Sequence, residues 1–456
     1  MKTILLFSAL LFLVMLQNAQ SQWTYSNLSA PRNRMGAAVL GTKAYFAGGA
    51  NIVGEAVSTI QIYDVKNEAW DTDVSLNLSV PRMHPACVTA GSKVIFAGGV
   101  NMNNDVLFSE VDIWDTITKQ WTLKQLSIPR VFLSAVSNGE KVLFAGGADL
   151  KVNGPTFDVV DIYDVVTGLW SVAKLSIPRV GMGATVAGNR AFFAGGMVNQ
   201  TGKVTNRIDI YDFSTGSWSI DSLSEARGFL AAVTLGNKVM FAGGTNANNK
   251  PTGRVDIYDV STGIWTTANL SVPRALFPDP AAAAINNNQA VFSCGGHFDL
   301  YTHSWNSSSN VIDFYDASTN TWSSGKLTNS LVLYAVAGLQ NHFIVAGGAF
   351  LSPFVVVDKV ELYTAPITGI SSNQMEEASF TIYPKPAINK ISIATNSNLQ
   401  GETTICIFNM NGAILQQDKF QSQNLIELDV STLAKGIYLL QIQTEKGTET
   451  MKLVVQ

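Results

Sequence analysis

Residues 238–265 read KVMFAGGTNANNKPTGRVDIYDVSTGIW, and the pattern within this stretch recurs along most of the chain. Phe-Ala-Gly-Gly, or a close variant, occurs seven times. A Tyr-Asp or Trp-Asp pair follows in the first six copies, and a tryptophan stands six residues after the Asp, as with Asp259 and Trp265. The chain therefore repeats a unit of about 50 residues, whose second glycines are Gly49, Gly99, Gly147, Gly196, Gly244, Gly296 and Gly348.

Each unit is predicted to contain four short β-strands. Apolar runs such as Lys43 to Phe46 are bounded by Gly or Asn. Between the Asp and the Trp, Gly263 and its equivalents favour a tight hairpin, because such a turn needs a residue that tolerates positive φ. Four antiparallel strands cannot bury both faces alone, so we expect the units to pack around an axis as blades.

The order Gly-Gly, Tyr-Asp, Trp and Pro-Arg resembles the kelch repeat. The resemblance covers residues 22–364 and implies an all-β fold, a seven-bladed kelch-type β-propeller. The last unit has no tryptophan after Tyr363, whereas Trp23 belongs to no complete unit. We therefore expect residues 22–28 to supply the missing outer strand of the seventh blade and to close the ring.

The N-terminal segment and the composition indicate an exported protein. An apolar run from Ile4 to Leu16 is too short to span a membrane, so residues 1–21 are predicted to be a signal peptide, cleaved before Gln22 or alternatively after Ala19. The net charge of −4, from 30 Lys and Arg against 34 Asp and Glu, argues against a nucleic-acid partner. With three cysteines we expect no disulfide partner, and we expect a monomer.

The last part of the chain is predicted to be a separate domain. Residues 365–378 form a polar linker, and residues 379–456 contain alternating apolar segments that predict five strands of a small β-sandwich. Their order resembles the C-terminal sorting domain of the type IX secretion system, although Lys385 stands where the family usually has Asn. The resemblance implies a Gram-negative source, export to the medium or the outer cell surface, and the secretion machinery as a partner.

Unit six carries two insertions. From the Pro-Arg arginine to the second glycine there are 17 residues in most units but 22 in unit six, and the loop after its glycines is also longer. Loops of this kind on a rigid scaffold concentrate binding residues. The kelch resemblance implies that ligand contacts come from positions after Pro-Arg and after Gly-Gly, which gives the candidates Arg34, His84, Phe132, Phe229, His297, Asp299, Tyr301 and His303.

Other chemistry is less well supported by the sequence. The arginine of the Pro-Arg position recurs in six units, with Ala226 in place of the proline in unit five, and we expect these arginines to bond carbonyls of a neighbouring blade. His297, Asp299 and His303 share one loop but lack the spacing of a zinc site, so we expect no metal and no other cofactor. No residue is assigned a catalytic role.

Two functions remain open. The first is a secreted or cell-surface binding module without catalytic activity, for a glycan or an extracellular protein. The second is an enzyme that acts on a sugar at the mouth of the propeller. A sialic acid mutarotase-like epimerase is the form considered, since anomer exchange needs little more than an acid and a base such as His84 and His297.

Overall fold

The structure is a computed structural model and describes residues 22–71, 76–151, 154–199, 201–276, 282–285, 288–365, 380–384, 386–395, 401–408, 414–421, 425–444 and 447–455. The predicted signal peptide 1–21, most of the predicted linker 365–378, Lys385 and the insertion residues 277–279 lie outside this range. The chain divides into two compact units, Met1–Pro366 and Ile367–Gln456. The described residues form strands and turns, and among them no helix could cross a membrane.

The described part of the first unit contains seven antiparallel sheets, each with four strands in the order of the repeat. They are numbered one to seven here. Sheet one also includes the short strand Leu76–Asn77. The strands are Gly36–Leu40, Lys43–Ala47, Thr59–Asp64 and Ala69–Trp70; Ala86–Ala90, Lys93–Ala97, Glu110–Asp115 and Gln120–Gln125; Ser134–Ser137, Lys141–Ala145, Val159–Asp164 and Trp170–Lys174; Gly183–Ala187, Arg190–Ala194, Arg207–Asp212 and Trp218–Ser222; Ala231–Leu235, Lys238–Ala242, Arg254–Asp259 and Ile264–Asn269; Ala282–Ile285, Gln289–Ser293, Ser304–Asp316 and Thr321–Leu331; and Ala335–Leu339, His342–Ala346, Lys359–Thr364 and Gln22–Asn27.

The sheets form a closed ring. The first strand of each sheet contacts the first strand of the next, and the first strand of sheet seven contacts that of sheet one. Apolar clusters lie between neighbouring sheets, for example the one that joins Leu143 of sheet three to Phe193 of sheet four. This arrangement is a β-propeller, with its core distributed between the blades.

The N-terminal strand completes sheet seven. Gln22–Asn27 pairs antiparallel with Lys359–Thr364, and Trp23 lies opposite Tyr363. The centroids of these two rings are 5.2 Å apart. The indole N–H of Trp70 in sheet one also donates to the hydroxyl of Ser26, at 2.8 Å. The first described residues of the propeller therefore tie sheet seven to sheet one.

Five arginines at the Pro-Arg position form buried ion pairs; in unit five Ala226 stands in place of the proline. Each guanidinium lies 2.6–2.8 Å from an aspartate in the third strand of its own sheet, and each donates to a carbonyl of the second strand. The prediction that these arginines bond carbonyls of a neighbouring blade is therefore wrong, because the aspartates and strand carbonyls that they contact belong to their own sheet. The pairs are Arg82 with Asp112, Arg130 with Asp161, Arg179 with Asp209, Arg227 with Asp256, and Arg274 with Asp313.

Short hairpins follow the glycine pairs on one side of the ring. They come from units two, six and seven, and a further short pair joins residues around Gly228 and Thr245 in unit five. Their strands are Val100–Asn101 with Val106–Leu107, Gly296–Asp299 with the start of Ser304–Asp316, Ala349–Leu351 with Phe354–Val356, and Arg227–Gly228 with Thr245–Asn246.

The second unit is a β-sandwich. One sheet has three strands and the other four, and both contribute to one core that includes Ile391, Ile426, Ile405 and Leu440. The prediction of five strands is wrong because it omitted the polar strand Ile414–Gln421 and did not count Phe380–Tyr383 as a strand. The strands are Phe380–Tyr383, Lys390–Thr395 and Leu425–Asp429, then Glu402–Phe408, Ile414–Gln421, Gly436–Thr444 and Gly447–Val455.

Candidate functional site

Seven equivalent residues form an inner ring at the mouth of the propeller. Each stands two positions after the Pro-Arg arginine or its replacement, and several neighbours are joined through the backbone: the N–H of Arg34 donates to the carbonyl of Leu333, and that of His84 to the carbonyl of Arg34, both at 2.9 Å. The φ angles of Arg34, His84, Phe132, Gly181, Phe229 and Leu333 lie between 50° and 65°. Leu276 is the seventh member and bonds to the carbonyl of Phe229.

This ring surrounds a cavity of about 430 Å³. The volume lies within the range of small-molecule sites. Its walls are mainly apolar, and the polar lining residues are Arg34, His84, His303 and Ser304. The apolar ones are Met102, Phe132, Ala148, Leu150, Val180, Met197, Phe229, Phe298, Trp305, Leu333, Leu351 and Phe354.

The structure brings five of the eight candidate residues together. Arg34, His84, Phe132, Phe229 and His303 line the cavity. The rings of His84 and Phe132 are in edge contact, with centroids 4.7 Å apart. Phe229 packs against Phe298, with centroids 4.4 Å apart. His297, Asp299 and Tyr301 are not among the lining residues.

A one-residue register difference in unit six explains why His297 is absent from the cavity. The φ angles of Cys294 and Gly295, 48° and 91°, match those of Gly48 and Gly49, 64° and 98°. Gly296 pairs with Ala275 just as Ala50 pairs with Asn33. The second glycine of unit six is therefore Gly295, and the segment before it has 21 residues instead of 22.

The register decides which side chains reach the cavity. Of the first three residues after the second glycine, those that line the cavity stand at the first or the third position, as Ala148 and Leu150 do after Gly147. Counted from Gly295, the third position is Phe298 and the second is His297. A shift by one residue moves a strand's side chains to the opposite face. Accordingly, Nε2 of His297 lies 2.9 Å from the carbonyl oxygen of Asn249 in unit five.

Asp299 stabilises the hairpin of unit six, and the ring of Tyr301 packs on the loop of unit four. Asp299 Oδ1 accepts hydrogen bonds from the backbone N–H groups of Tyr301 and Thr302, at 2.9 and 3.0 Å. These bonds, that of Thr302 first, hold the pKa of Asp299 well below its usual range. The Tyr301 ring lies where a side chain at Gly202 would stand, so it covers the loop of unit four.

The electrostatics of the cavity depend on Arg34 and His84. His84 is 8% exposed, and its burial, followed by the charge of Arg34, lowers the pKa of the imidazole well below 6.5. His84 is therefore neutral at pH 7. Burial also lowers the pKa of Arg34 from 12.5, and Arg34 stays charged. Its Nη1 donates to Oδ1 of Asn33 at 3.3 Å.

The described residues contain no group of three His, Cys, Asp or Glu side chains that could hold a metal ion. Among the residues that the structure describes, the cavity lining includes no carboxylate and no cysteine. It therefore offers apolar contact, one guanidinium and two imidazoles, a combination suited to binding.

Several lining residues were not among the sequence candidates. Met102, Leu351 and Phe354 belong to the hairpins of units two and seven, and Leu150 follows the glycines of unit three, in segments where the units differ most in sequence. The sequence did contain a signal for these residues. In four units a large apolar residue stands three positions after the second glycine: Met102, Leu150, Phe298 and Leu351.

Comparisons with known proteins agree with both resemblances. The Kelch motif matches residues 178–220 and 226–269, and a second description of the Kelch motif matches residues 280–327. A secretion system C-terminal sorting domain matches residues 381–456. No curated protein matches the chain.

Proposed function

We propose that this chain, a kelch-repeat protein with a type IX secretion sorting domain, is a binding protein of the cell surface or extracellular space that captures ligands in the mouth of its propeller without chemical change. The sorting domain indicates the route of export and the secretion machinery as a partner. The observation that carries the proposal is the apolar cavity inside the ring that begins with Arg34 and His84.

An extracellular protein or another apolar ligand suits this cavity better than a glycan. A sugar carries hydroxyl groups around its ring, and each loses water on binding unless a polar partner replaces it. The described lining offers four polar residues and twelve apolar ones. Aromatic walls such as Phe132, Phe229 and Phe298 favour an apolar side chain, which gains free energy in proportion to the area it buries.

The geometry does not favour the sugar epimerase. That reaction would use an acid and a base on opposite sides of one bound sugar. His84 lines the cavity, whereas His297 is not part of the lining and bonds to the backbone of unit five. The pair considered from the sequence, His84 with His297, is therefore not available in one cavity.

The uncharged fluorophore N-phenyl-1-naphthylamine tests the proposal. Leu150 and Phe354 line the cavity and are 38% and 54% exposed, so replacing them with Ser removes apolar contact at little cost to folding. We expect one bound fluorophore per wild-type molecule, with the affinity at least five-fold lower in L150S/F354S. Leu123→Ser is the matched control, because Leu123 is 56% exposed on the outer strand of sheet two.

Equal affinity in all three proteins would contradict the assignment of the mouth as the binding site. A glycan array on the same proteins examines the ligand class. A glycan that binds wild type and L123S, but not L150S/F354S, would overturn the preference for an apolar ligand and keep the site.

A further inference from the structure

The guanidinium of Arg34 has no acidic partner within the part of the chain that the structure describes. It is half-buried in the cavity wall, and no described carboxylate lies within 4 Å of it. Its side-chain hydrogen bond goes to the neutral amide of Asn33. Neutral His84 and apolar Leu333 occupy the adjacent positions of the ring, so neither offers a negative charge.

Five buried arginines elsewhere in the propeller have an acidic partner, whereas buried Arg32 donates to the backbone carbonyls of Gly48 and Thr59. Arg82, Arg130, Arg179, Arg227 and Arg274 each have an aspartate at 2.6–2.8 Å. A cation that is partly removed from water is stabilised by an anion that bonds to it. Beside Arg34, no described residue supplies this anion, so a bound ligand can supply it.

We infer that the ligand of the mouth cavity is an apolar carboxylic acid, bound as the carboxylate to Arg34 with its apolar body against Phe132, Phe229 and Phe298. The inference rests on the proposed function, and it adds the chemical class of the ligand.

The single charge and the shape of the guanidinium select a monoanion. The planar fork of Arg34 matches the two oxygens of a carboxylate and can donate to both. A phosphate monoester would bring close to two negative charges into an apolar cavity that holds one arginine. Its second charge would lose water without an arginine to replace it, so the cavity disfavours such a ligand.

Two sources can supply this chemistry: a free amphiphilic acid, or the C-terminal residue of an extracellular protein when its side chain is apolar. Both present one carboxylate next to an apolar group, and both fit a cavity of about 430 Å³. Matched pairs of acid and neutral compound separate the two sources.

The experiment measures displacement of N-phenyl-1-naphthylamine from the full chain at pH 7.5. The first pair is octanoate and octan-1-ol, and the second is N-acetyl-Leu-Phe as the free acid and as the amide. In at least one pair, we expect the acid to bind at least ten-fold more tightly than its neutral counterpart. Preference within the first pair identifies a free acid as the source, and preference within the second identifies a protein C terminus.

Variants of Arg34 test whether its guanidinium causes the preference for the acid. In Arg34→Met we expect the acid-to-neutral ratio to fall to about 1–2, the range of a site with no charged partner. Arg34→Lys should keep part of the preference, since it retains the charge and loses the fork. Arg254→Met is the control for loss of an arginine, because Arg254 begins the third strand of sheet five and is not in the lining.

The outcomes separate the two proposals. If the fluorophore binds and both members of each pair displace it equally, the carboxylate inference is wrong while the mouth remains a binding site. If L150S/F354S binds the fluorophore as wild type does, the proposed function itself fails. The wild-type ratio decides the inference even if Arg34→Met does not fold.

Discussion

Arg179 and Asp209 form an ion pair that is sealed from solvent, with Nη2 and Oδ2 2.6 Å apart. Burial lowers the pKa of Arg179, and the aspartate opposes this shift. Asp209 also accepts two hydrogen bonds from Ser176: the backbone N–H donates to Oδ1 and the hydroxyl donates to Oδ2, both at 3.1 Å. One carboxylate therefore connects the segment before the sheet to the middle of its third strand.

Removing one partner of this pair should strongly destabilise the propeller. In Asp209→Ala the guanidinium stays buried without its carboxylate, which typically costs about 3–5 kcal/mol. The control is Lys174→Ala, because Lys174 pairs with Asp158 on the surface of sheet three and such pairs contribute about 0–1 kcal/mol. Denaturant unfolding of both variants measures the difference. A loss below about 1 kcal/mol for Asp209→Ala would mean that the arginine finds other partners.

The closing strand should matter for the stability of the ring. Trp23→Ala removes a ring that packs against Tyr363, and we expect a loss of about 2–3 kcal/mol, somewhat less than for a fully buried tryptophan. Thr24→Ala, on the solvent side of the same strand, should change stability by less than about 0.5 kcal/mol. Thermal melts compare the two. Similar melting temperatures for the two variants would contradict a structural role for the N-terminal strand.

Much of the fold could be predicted because the physical requirements repeat. Glycines with positive φ, tight turns between Asp and Trp, and an unpartnered Trp23 identified the strands and the closing pair. The ion pairs were missed although their signal was present: the Asp of Asp-Ile-Tyr-Asp, such as Asp209, recurs three residues before the Asp used to find the turn.

The candidate site was predicted less well, for two reasons. The first is that Cys294 adopts the left-handed backbone of a glycine, and this places the apparent Gly-Gly pair one residue out of register. The second is that most of the lining comes from hairpins whose sequences differ from unit to unit, such as the one with Phe354. A repeat identifies the shared scaffold, whereas a binding site depends on the positions that are not shared.

Acid should destabilise the protein through His84. Its pKa in the folded state is lowered, whereas in the unfolded chain it is about 6.5. As the pH falls below about 6.5, the unfolded state therefore binds the proton more readily, and the free energy of unfolding decreases. Melting temperatures at pH 7.5 and 5.0 should differ more in wild type than in His84→Gln. His342, whose pKa is also lowered by burial, accounts for part of the remaining change.

If His84→Gln shows the same decrease as wild type, the imidazole of His84 is not the group responsible. The comparison stops at pH 5 because the aspartates that cap turns, such as Asp212 with its lowered pKa, begin to protonate only in more acidic solution.

Export should depend on the C-terminal unit. A chain that lacks residues 380–456 retains the whole propeller, and we expect it to accumulate as a folded protein in the periplasm instead of reaching the medium or the cell surface. Immunoblots of the periplasmic, surface and medium fractions measure this. Recovery of the truncated chain outside the cell at wild-type levels would show that another segment directs export.

The register of unit six gives the most direct check of the candidate site. Phe298 lines the cavity and packs against Phe229, whereas His297 is bonded to the carbonyl of Asn249. Phe298→Ala should therefore weaken binding of N-phenyl-1-naphthylamine, per folded molecule, by about five-fold or more, since an aromatic wall is lost from the contact. His297→Ala should leave that affinity within about two-fold and lower only the melting temperature, through the lost bond to unit five. The reverse pattern, with His297→Ala weakening binding and Phe298→Ala leaving it unchanged, would restore the register read from the apparent Gly295-Gly296 pair.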